Sequence, residues 1–484
     1  MGRLVQADFR AMTTTTYASN TLSTKLYYGF GAVAYGAKSN GFNYLLLFFY
    51  SQVVGLPPEW VSFGIFIALM VDAISDPLVG HLSDNLRSRW GRRHPLMYVA
   101  GVPAAVAYYF LWAPPAWDPD SLFIYFVTLA ILIRTLLTFY EIPSTSLAAE
   151  LTDDYDQRTR FMSFRFFFGW WGGLTMALLV YLVFLPESKG GMEYVEGWRN
   201  YGLAASIVIG VSIYVSAFGT HRHIPHLRQP PPPKPFNFRR TLGELRETLS
   251  NRMFLILFAA GLFSAMAAGV NTSLGIYFAR HFWELTTEQM GTLQLPYFLS
   301  ALVALVLAPK VSHWLGKKQA TIIISLITLV LTPLPPILRY FGWFPDNGTA
   351  ELYYALLVFY TIDVTFMIMV ATIAAAMFAD VVEDSELRTG RRSEATFFAA
   401  NSFAQKAVNG LGVVVAGQIL AWVNFPASAK PGDVPQETLY ELAFAFAPAI
   451  WVFYLVSVGL LSFYQISREK HEDNLRQLAA RRSQ

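Results

Sequence analysis

The chain has 484 residues, of which 54% are hydrophobic and only 14% are charged. A soluble protein of this length would carry about 25% charged residues, so the composition excludes an ordinary soluble globular protein. The absence of cysteine excludes disulfides, thiolate metal sites and cysteine catalysis, and the small net charge of +3 gives no reason to expect a nucleic-acid partner.

The first 20 residues are polar and contain no apolar core of the kind found in a cleaved signal peptide. Apolar runs of about 20 residues then recur to the end of the chain, each long enough to cross about 30 Å of hydrocarbon. No alternating barrel pattern occurs, so these runs must be helices. Twelve spans are predicted, at residues 27–50, 60–80, 95–113, 121–147, 165–186, 199–219, 253–279, 290–309, 319–339, 352–378, 394–424 and 440–466.

The Lys and Arg residues are distributed unevenly between alternate loops. Of the 36, 27 fall in the N-terminal segment, the loops that follow even-numbered spans and the C-terminal tail, and five fall in the opposite loops. Basic residues accumulate on the cytoplasmic side of membrane proteins. Both termini are therefore predicted to be cytoplasmic, in a multi-pass protein of a bacterial inner membrane.

The twelve spans divide into two similar halves. The loop "LRSRWGRRHPLMY" after span 2 is echoed by "SHWLGKKQATII" after span 8, and "LTDDYDQRTR" after span 4 is echoed by "MFADVVEDSELRTGRR" after span 10. Parallel six-helix repeats joined by an inner linker are typical of major-facilitator transporters, which bind their substrates near mid-membrane. The predicted fold is an all-α major facilitator fold with two six-helix bundles.

Four segments follow from this division. An N-terminal bundle with a cation site covers residues 1–219, and a cytoplasmic Pro-rich linker covers 220–252, where "RQPPPPKPFNF" predicts a semi-rigid spacer. The C-terminal bundle covers 253–466 and a cytoplasmic tail covers 467–484.

Two aspartates in span 2 stand out because they lie in apolar surroundings. Asp72 and Asp76 are four residues apart and share a helix face. An unpaired ionised acid in hydrocarbon costs about 2.5–3.5 kcal/mol or more, and two like charges also repel. A Na⁺ ion or a proton between them removes this cost, with Ser75 and Thr138 as neutral oxygen ligands. The alternative is a structural pair with an intramembrane base such as Arg134 or Arg165.

A burst of charge follows directly, at the cytoplasmic end of span 2. It consists of Asp84, Arg87, Arg89, Arg92 and Arg93. These residues anchor the topology. We also expect them to form a cytoplasmic gate by pairing with the loop after span 8 or span 10.

Three further ionisable residues lie within predicted spans. Glu141 and Arg165 form either a structural pair or part of a cavity that binds hydroxyl-rich solutes, and Lys406 is the in-span cation of the second half. The histidines at 221, 223 and 226 have no carboxylate or cysteine nearby, which argues against a metal site.

The chain resembles the glycoside–pentoside–hexuronide:cation symporters, the family of melibiose permease-like transporters. The resemblance is carried by "DAISDPLVGHLSDNLRSRWGRRHP" in span 2, "TKLYYGFGAVAYG" in span 1, "YEIPSTSL" in span 4 and "FADVVEDSELRTGRRSEATFFAANSFAQK" between spans 10 and 11. It implies that Asp72, Asp76 and Thr138 bind the coupling cation. It also implies that Glu141, Arg165 and Lys406 occupy the positions of the family's helix-4 sugar-binding acid, helix-5 arginine and helix-11 lysine.

The chain departs from this family in span 1 and span 4. Gly36 stands where the family has a sugar-binding aspartate, and Thr145 stands where melibiose permease-like members have a tryptophan. A sugar site without that acid can use Glu141 together with Tyr35, Lys38 and Asn40. The positive charge of Lys38 suits an anionic sugar such as a hexuronide.

The predicted function is cation-coupled symport of a sugar, glycoside or uronide, driven by Na⁺ or H⁺ through alternating access. No cofactor is expected, and the expected partners are the solute, the coupling cation and the lipid bilayer around a monomer. The alternatives are a sodium-coupled transporter of lysolipids or other amphiphiles with the same fold, and a non-transporting membrane sensor. An enzyme is not predicted, because no catalytic constellation or phosphate loop occurs.

Overall fold

A computed structural model describes residues 21–152, 154–227, 251–389 and 394–466, with a few more between 469 and 477. Within these ranges helices are the only regular secondary structure, and a helix occupies each predicted span. From span 1 to span 12 the bounds are Leu22–Phe30 with Ala32–Asn40, Pro58–Asn85, His94–Leu111, Pro119–Leu151, Tyr155–Leu179, Val195–His221, Arg252–Tyr277, Pro296–Leu315, Lys317–Leu331, Ala350–Thr389, Glu394–Trp422 and Gln436–Ser462.

Nine of the described helices are long and apolar enough to cross a membrane, namely spans 2, 4 to 10 and 12. The helices at the positions of spans 1, 3 and 11 have the predicted order and place. Span 1 is divided at Gly31, and in span 11 the side chains are described from Val408, so that its described apolar segment is Val408–Trp422. The chain is a multi-pass membrane protein.

Several helices begin or break where local chemistry requires it. Asp118 accepts a hydrogen bond from the Ser121 amide, and Pro119 occupies the first position of span 4, where a missing N–H costs nothing. Span 9 ends at Leu331, and a second short helix, Leu334–Tyr340, continues it after a break. The break is explained by three prolines, at positions 333, 335 and 336. Proline has no backbone N–H and therefore cannot donate the helical hydrogen bond.

The helix of span 10 is longer than its predicted range. Span 10 was expected at 352–378, but its helix runs from Ala350 to Thr389 and so extends 11 residues beyond the apolar run. A helix is not limited by the thickness of the bilayer, because its backbone groups are satisfied internally in water as well as in lipid.

The chain forms two compact units. One draws on Met1–Leu56 and Ile67–Phe236, and the other on Pro57–Phe66 and Asn237–Gln484. The first turns of span 2 therefore group with the second unit. The predicted linker at 220–252 and tail at 467–484 lie mostly outside the described residues, so those limits stay a prediction.

The same packing pattern occurs inside each unit. Span 1 packs against spans 5 and 6, and span 7 packs against spans 11 and 12. Span 3 packs against spans 4 and 6, and span 9 packs against spans 10 and 12. For these contacts, adding six to the span numbers of the first unit gives the span numbers of the second unit. This is the relation expected of parallel six-helix repeats.

Candidate cation and substrate site

The two span-2 aspartates meet span 4 in the first unit. The Thr138 hydroxyl lies 3.0 Å from Oδ1 of Asp72 and 3.2 Å from Oδ1 of Asp76. Asp72, Thr138 and Arg134 are nearly inaccessible, at 2%, 3% and 4% exposure, whereas Asp76 is half-buried. Thr138 has one proton to donate, so it donates to one of the two carboxylates at a time.

Arg134 supplies a positive charge at this site. Its Nη1 lies 3.3 Å from Oδ2 of Asp72, and its guanidinium lies over the Phe42 ring at 4.7 Å from the centroid. The structural pair left open by the sequence therefore applies to Asp72. With Asp76 also ionised, the two acids and one base leave a single negative charge.

Ser75 points elsewhere. Its hydroxyl donates to the backbone carbonyl oxygen of Asp72, 3.0 Å away, and not to either carboxylate. This is the usual back-bond of a serine inside a helix. In this conformation the neutral oxygen at the two acids comes from Thr138, whereas Ser75 as a cation ligand stays a prediction.

Span 4 carries the link between the cation site and the predicted substrate residues. Arg134, Thr138 and Glu141 are spaced by four and three residues and so share one face. The Glu141 carboxylate lies 3.9 Å from Nζ of Lys38 on span 1, and that amino group lies 4.7 Å from the centroid of the Tyr35 ring. Lys38 is buried, but Tyr35 is 45% exposed, so its ring is available for contact.

The other predicted substrate residues take different places. Arg165 and Glu141 are both described and no ion pair joins them; Nη1 of Arg165 instead donates to the Ser144 hydroxyl at 3.0 Å. Asn40 is buried, and its Oδ1 has no hydrogen-bond partner among the described residues. The side chain of Lys406 lies outside the described residues.

Gly36 lies on a packing face of span 1. A Cβ at this position would collide with the carbonyl oxygen of Gly169 and would lie 2.6 Å from the amide nitrogen of Gly173. Both atoms belong to the backbone of span 5 and cannot rotate away. The absence of an acid at this position is therefore required by the close approach of two helices.

The cytoplasmic charges form a cluster within the first unit. Glu150, at the end of span 4, accepts hydrogen bonds from Nε of Arg92 at 2.9 Å and Nε of Arg93 at 2.7 Å. Arg93 also pairs with Asp84 at 2.6 Å, whereas Arg87 is exposed. The cluster ties the loop after span 2 to span 4, and its predicted pairing with the loop after span 8 or span 10 stays a prediction.

The second unit repeats this arrangement. Nζ of Lys317, the first residue of span 9, lies 2.7 Å from the carboxylate of Asp380 in the last part of span 10. The two pairs of loop echoes in the sequence thus correspond to equivalent ion pairs. Two of the histidines named in the sequence analysis form hydrogen bonds with hydroxyl groups. His221 bonds to the hydroxyl of Tyr98, and His223 bonds to the hydroxyl of Thr24.

Sequence reasoning did not single out four acids with buried side chains, namely Glu150, Asp363, Asp380 and Asp384. Asp363 is 6% exposed in the middle of span 10 and accepts a hydrogen bond from Thr332. The signal was available, because an ionisable residue inside a membrane span marks a functional position by default.

Comparison with known proteins agrees with this architecture. Residues 27–468 match the MFS/sugar transport protein family. The chain belongs to this family. It is accordingly a membrane transporter and not an enzyme.

Individual relatives extend over nearly the whole chain. An uncharacterized symporter of Synechocystis sp. is 29% identical, covering 95% of this chain and 97% of the relative. An isoprimeverose transporter of Lactiplantibacillus pentosus is 22% identical, covering 87% and 84%. The crystal structure of a D-xylose-proton symporter shares the fold, with a TM-score of 0.61 and 16% identity over 90% of this chain and 96% of that one.

Proposed function

We propose that this transporter is a symporter that couples the inward movement of one monovalent cation, Na⁺ or H⁺, to uptake of a sugar, glycoside or uronide. The observation that carries the proposal is the cluster of Asp72, Asp76, Thr138 and Arg134, which has a net charge of −1 when both acids are ionised. Removing the last charge from a low-dielectric site requires one cation.

Asp76 is the acid at which the cation is expected to bind. Asp72 pairs with Arg134, whereas Asp76 is half-buried and accepts a hydrogen bond from the Thr138 hydroxyl. Its partial exposure gives an ion a route to the carboxylate. Carboxylate and hydroxyl oxygens are the ligands that hard cations such as Na⁺ prefer, and a carboxylate also accepts a proton.

The substrate is expected one turn further along span 4. The Glu141 carboxylate can accept hydrogen bonds from sugar hydroxyls, the Lys38 ammonium can donate them, and the exposed Tyr35 ring can pack against the apolar face of a sugar. Arg165 provides a further positive charge for a uronide carboxylate. Relatives named as sugar transporters support this class of solute.

Coupling follows from the position of these groups on one helix. Thr138 and Glu141 lie a turn apart, so a movement of span 4 that brings Thr138 to an occupied cation site also moves Glu141 against Lys38. The driving force is sufficient, since one charge crossing 100 mV supplies about 2.3 kcal/mol before any concentration gradient is added.

The test is uptake into proteoliposomes of labelled glycosides, pentosides and uronides under an inward Na⁺ gradient, an inward H⁺ gradient, or neither. We expect one gradient to drive accumulation in the wild type, and Asp72→Asn and Asp76→Asn to reduce it to the level without a gradient. Asp120→Asn, at an exposed position in the first turn of span 4, is the matched control and should keep wild-type uptake.

Full stimulation by the gradient in both Asp72→Asn and Asp76→Asn would refute the cation assignment. Uptake that is inhibited by lysolipids and not by sugars would instead select the amphiphile alternative. Absence of all solute flux in correctly folded protein would favour a non-transporting sensor.

A further inference from the structure

A buried carboxyl group in the second unit has no part in the site described above. Asp363 lies in span 10, 13 residues after the helix begins at Ala350, and only 6% of it is exposed. Its Oδ1 accepts a hydrogen bond of 2.8 Å from the Thr332 hydroxyl of span 9. No other hydrogen bond and no ion pair to its carboxyl occurs among the described residues.

Among the described residues, no Lys, Arg or His lines the cavity beside Asp363. The carboxyl borders a cavity of about 50 Å³, which is enough for a single small occupant. The other residues that line it are Asn271, Gly275, Phe278, Trp283, Leu331, Thr332, Pro335, Pro336, Phe359, Tyr360 and Phe446. Within the described part of the chain, the phenols of Tyr360 on its own helix and Tyr454 on span 12 are titratable groups close enough to be affected by a charge on Asp363.

The break in span 9 lies at the same cavity. Pro335 and Pro336 have no N–H, so the carbonyl groups four residues earlier, at Leu331 and Thr332, lack their helical donors. Broken helices of transporters use such freed carbonyls to hold ions at mid-membrane. Here the residues with the freed carbonyls line the same cavity as Asp363, whose carboxyl accepts one hydrogen bond and has no ion pair within the described ranges.

The position is deep in the membrane. At 1.5 Å per residue, Asp363 lies about 20 Å from the outer end of span 10, and Thr332 lies about 20 Å from the beginning of span 9. An ionised and unpaired acid at such a depth is costly, because no solvent compensates its charge. A proton removes the charge and supplies a donor for the freed carbonyls.

We propose that Asp363 is a second ion-binding site of the transporter, and that it holds a proton in this conformation. The proton comes from water and converts the carboxylate to a neutral carboxylic acid, which Thr332 and the carbonyls of the span-9 break stabilise. The proposal concerns the second unit and does not depend on Asp72, Asp76 or the identity of the solute.

The test is infrared difference spectroscopy of the purified full-length protein at neutral pH. The carbonyl stretch of a protonated carboxylic acid is separate from the bands of a carboxylate. We expect such a band in the wild type, its loss in Asp363→Asn, and its retention in Asp346→Asn, which removes an acid from an exposed outer loop. Thr332→Val should shift the band, because it removes the one hydrogen bond to this carboxyl.

The spectra also show what would overturn the proposal. A band that is unchanged in Asp363→Asn, or no band in the wild type, means that Asp363 is ionised. A band that is present in choline chloride and disappears in sodium chloride means that Na⁺ displaces the proton, which would overturn the assignment of the proton as the ion held when Na⁺ is present. If Asp363→Asn fails to fold, an unshifted band in Thr332→Val likewise refutes the assignment, and a shifted band supports it.

Discussion

At the scale of single residues, Arg134 reduces the net negative charge of the two acids in span 2. A pair of bare carboxylates would require two positive charges, whereas the guanidinium at 3.3 Å from Asp72 already provides one. Arg134 therefore neutralises Asp72, and in the proposed function Asp76 is the acid whose charge depends on the coupling ion. Arginine suits this role, because it stays protonated even when buried.

Arg134→Gln should therefore destabilise the protein and make it more dependent on the ion. Removing one partner of a buried pair costs about 3–5 kcal/mol, and an added cation can restore part of it by binding between the two acids. Thermal unfolding in the presence and absence of Na⁺, and at two pH values, measures both effects.

The melting temperature of Arg134→Gln should be lower than that of the wild type, and its rise with the coupling ion should be larger. Arg199→Gln changes an exposed arginine in the same unit. It should neither lower the melting temperature nor enlarge its rise with the coupling ion. An ion-dependent rise no larger than in the wild type would mean that Arg134 does not compete with the cation.

At the scale of helices, the contact between spans 1 and 5 determines which residues face the substrate. Gly36, Gly169 and Gly173 allow the two backbones to approach closely, as small residues do at helix interfaces in membranes. The approach orients the other residues of span 1, so that Lys38 reaches Glu141 and the Tyr35 ring remains partly exposed. The family's acid at position 36 has no space in this arrangement.

Gly36→Ala tests this contact. The added methyl group would overlap the backbone of span 5, and overpacking of this kind costs about 1–3 kcal/mol or more. We expect a lower melting temperature and weaker substrate binding. Gly275→Ala is the matched control, because nothing lies within 4 Å of a Cβ at that helical position; it should leave stability unchanged or raise it. Equal stability of the two variants would contradict the close contact.

At the scale of the whole molecule, two units with the same internal packing carry different ionisable groups. The first holds the pair of acids in span 2 with Arg134, and the second holds Asp363, which has no ion pair within the part of the chain that the structure describes. The equivalent ion pairs at the cytoplasmic ends, Glu150 with Arg93 and Asp380 with Lys317, belong to the repeated framework. The two repeats therefore differ in the ionisable groups that lie within their membrane spans.

The orientation of the loops relative to the membrane can be tested by labelling single introduced cysteines. The chain contains no cysteine, so no native cysteine has to be removed first. Ser88→Cys lies in the exposed loop after span 2, and Ser188→Cys lies in the exposed loop after span 5. A membrane-impermeant maleimide should label Ser188→Cys in intact cells, and should label Ser88→Cys only after the membrane is opened. Labelling of both from the same side would refute the predicted topology.

The sequence by itself determined the helical class, the order of the spans, the repeat and the position of Asp72 and Asp76 on one face of span 2. These features depend on local properties, since apolar length and spacing along one helix need no knowledge of its neighbours. Only the tertiary structure decided which groups meet. Arg134 and Asp72 are 62 positions apart, and Lys38 and Glu141 lie on different helices.

The same reason explains the other differences from the sequence prediction. The back-bond of Ser75, the bond of Arg165 to Ser144 and the backbone contact at Gly36 all depend on the rotation of one helix against another. That rotation is determined by packing over the whole interface and not by any short motif. The pattern of apolar residues shows that an acid lies in the membrane, but only the packed helices show whether a base lies beside it.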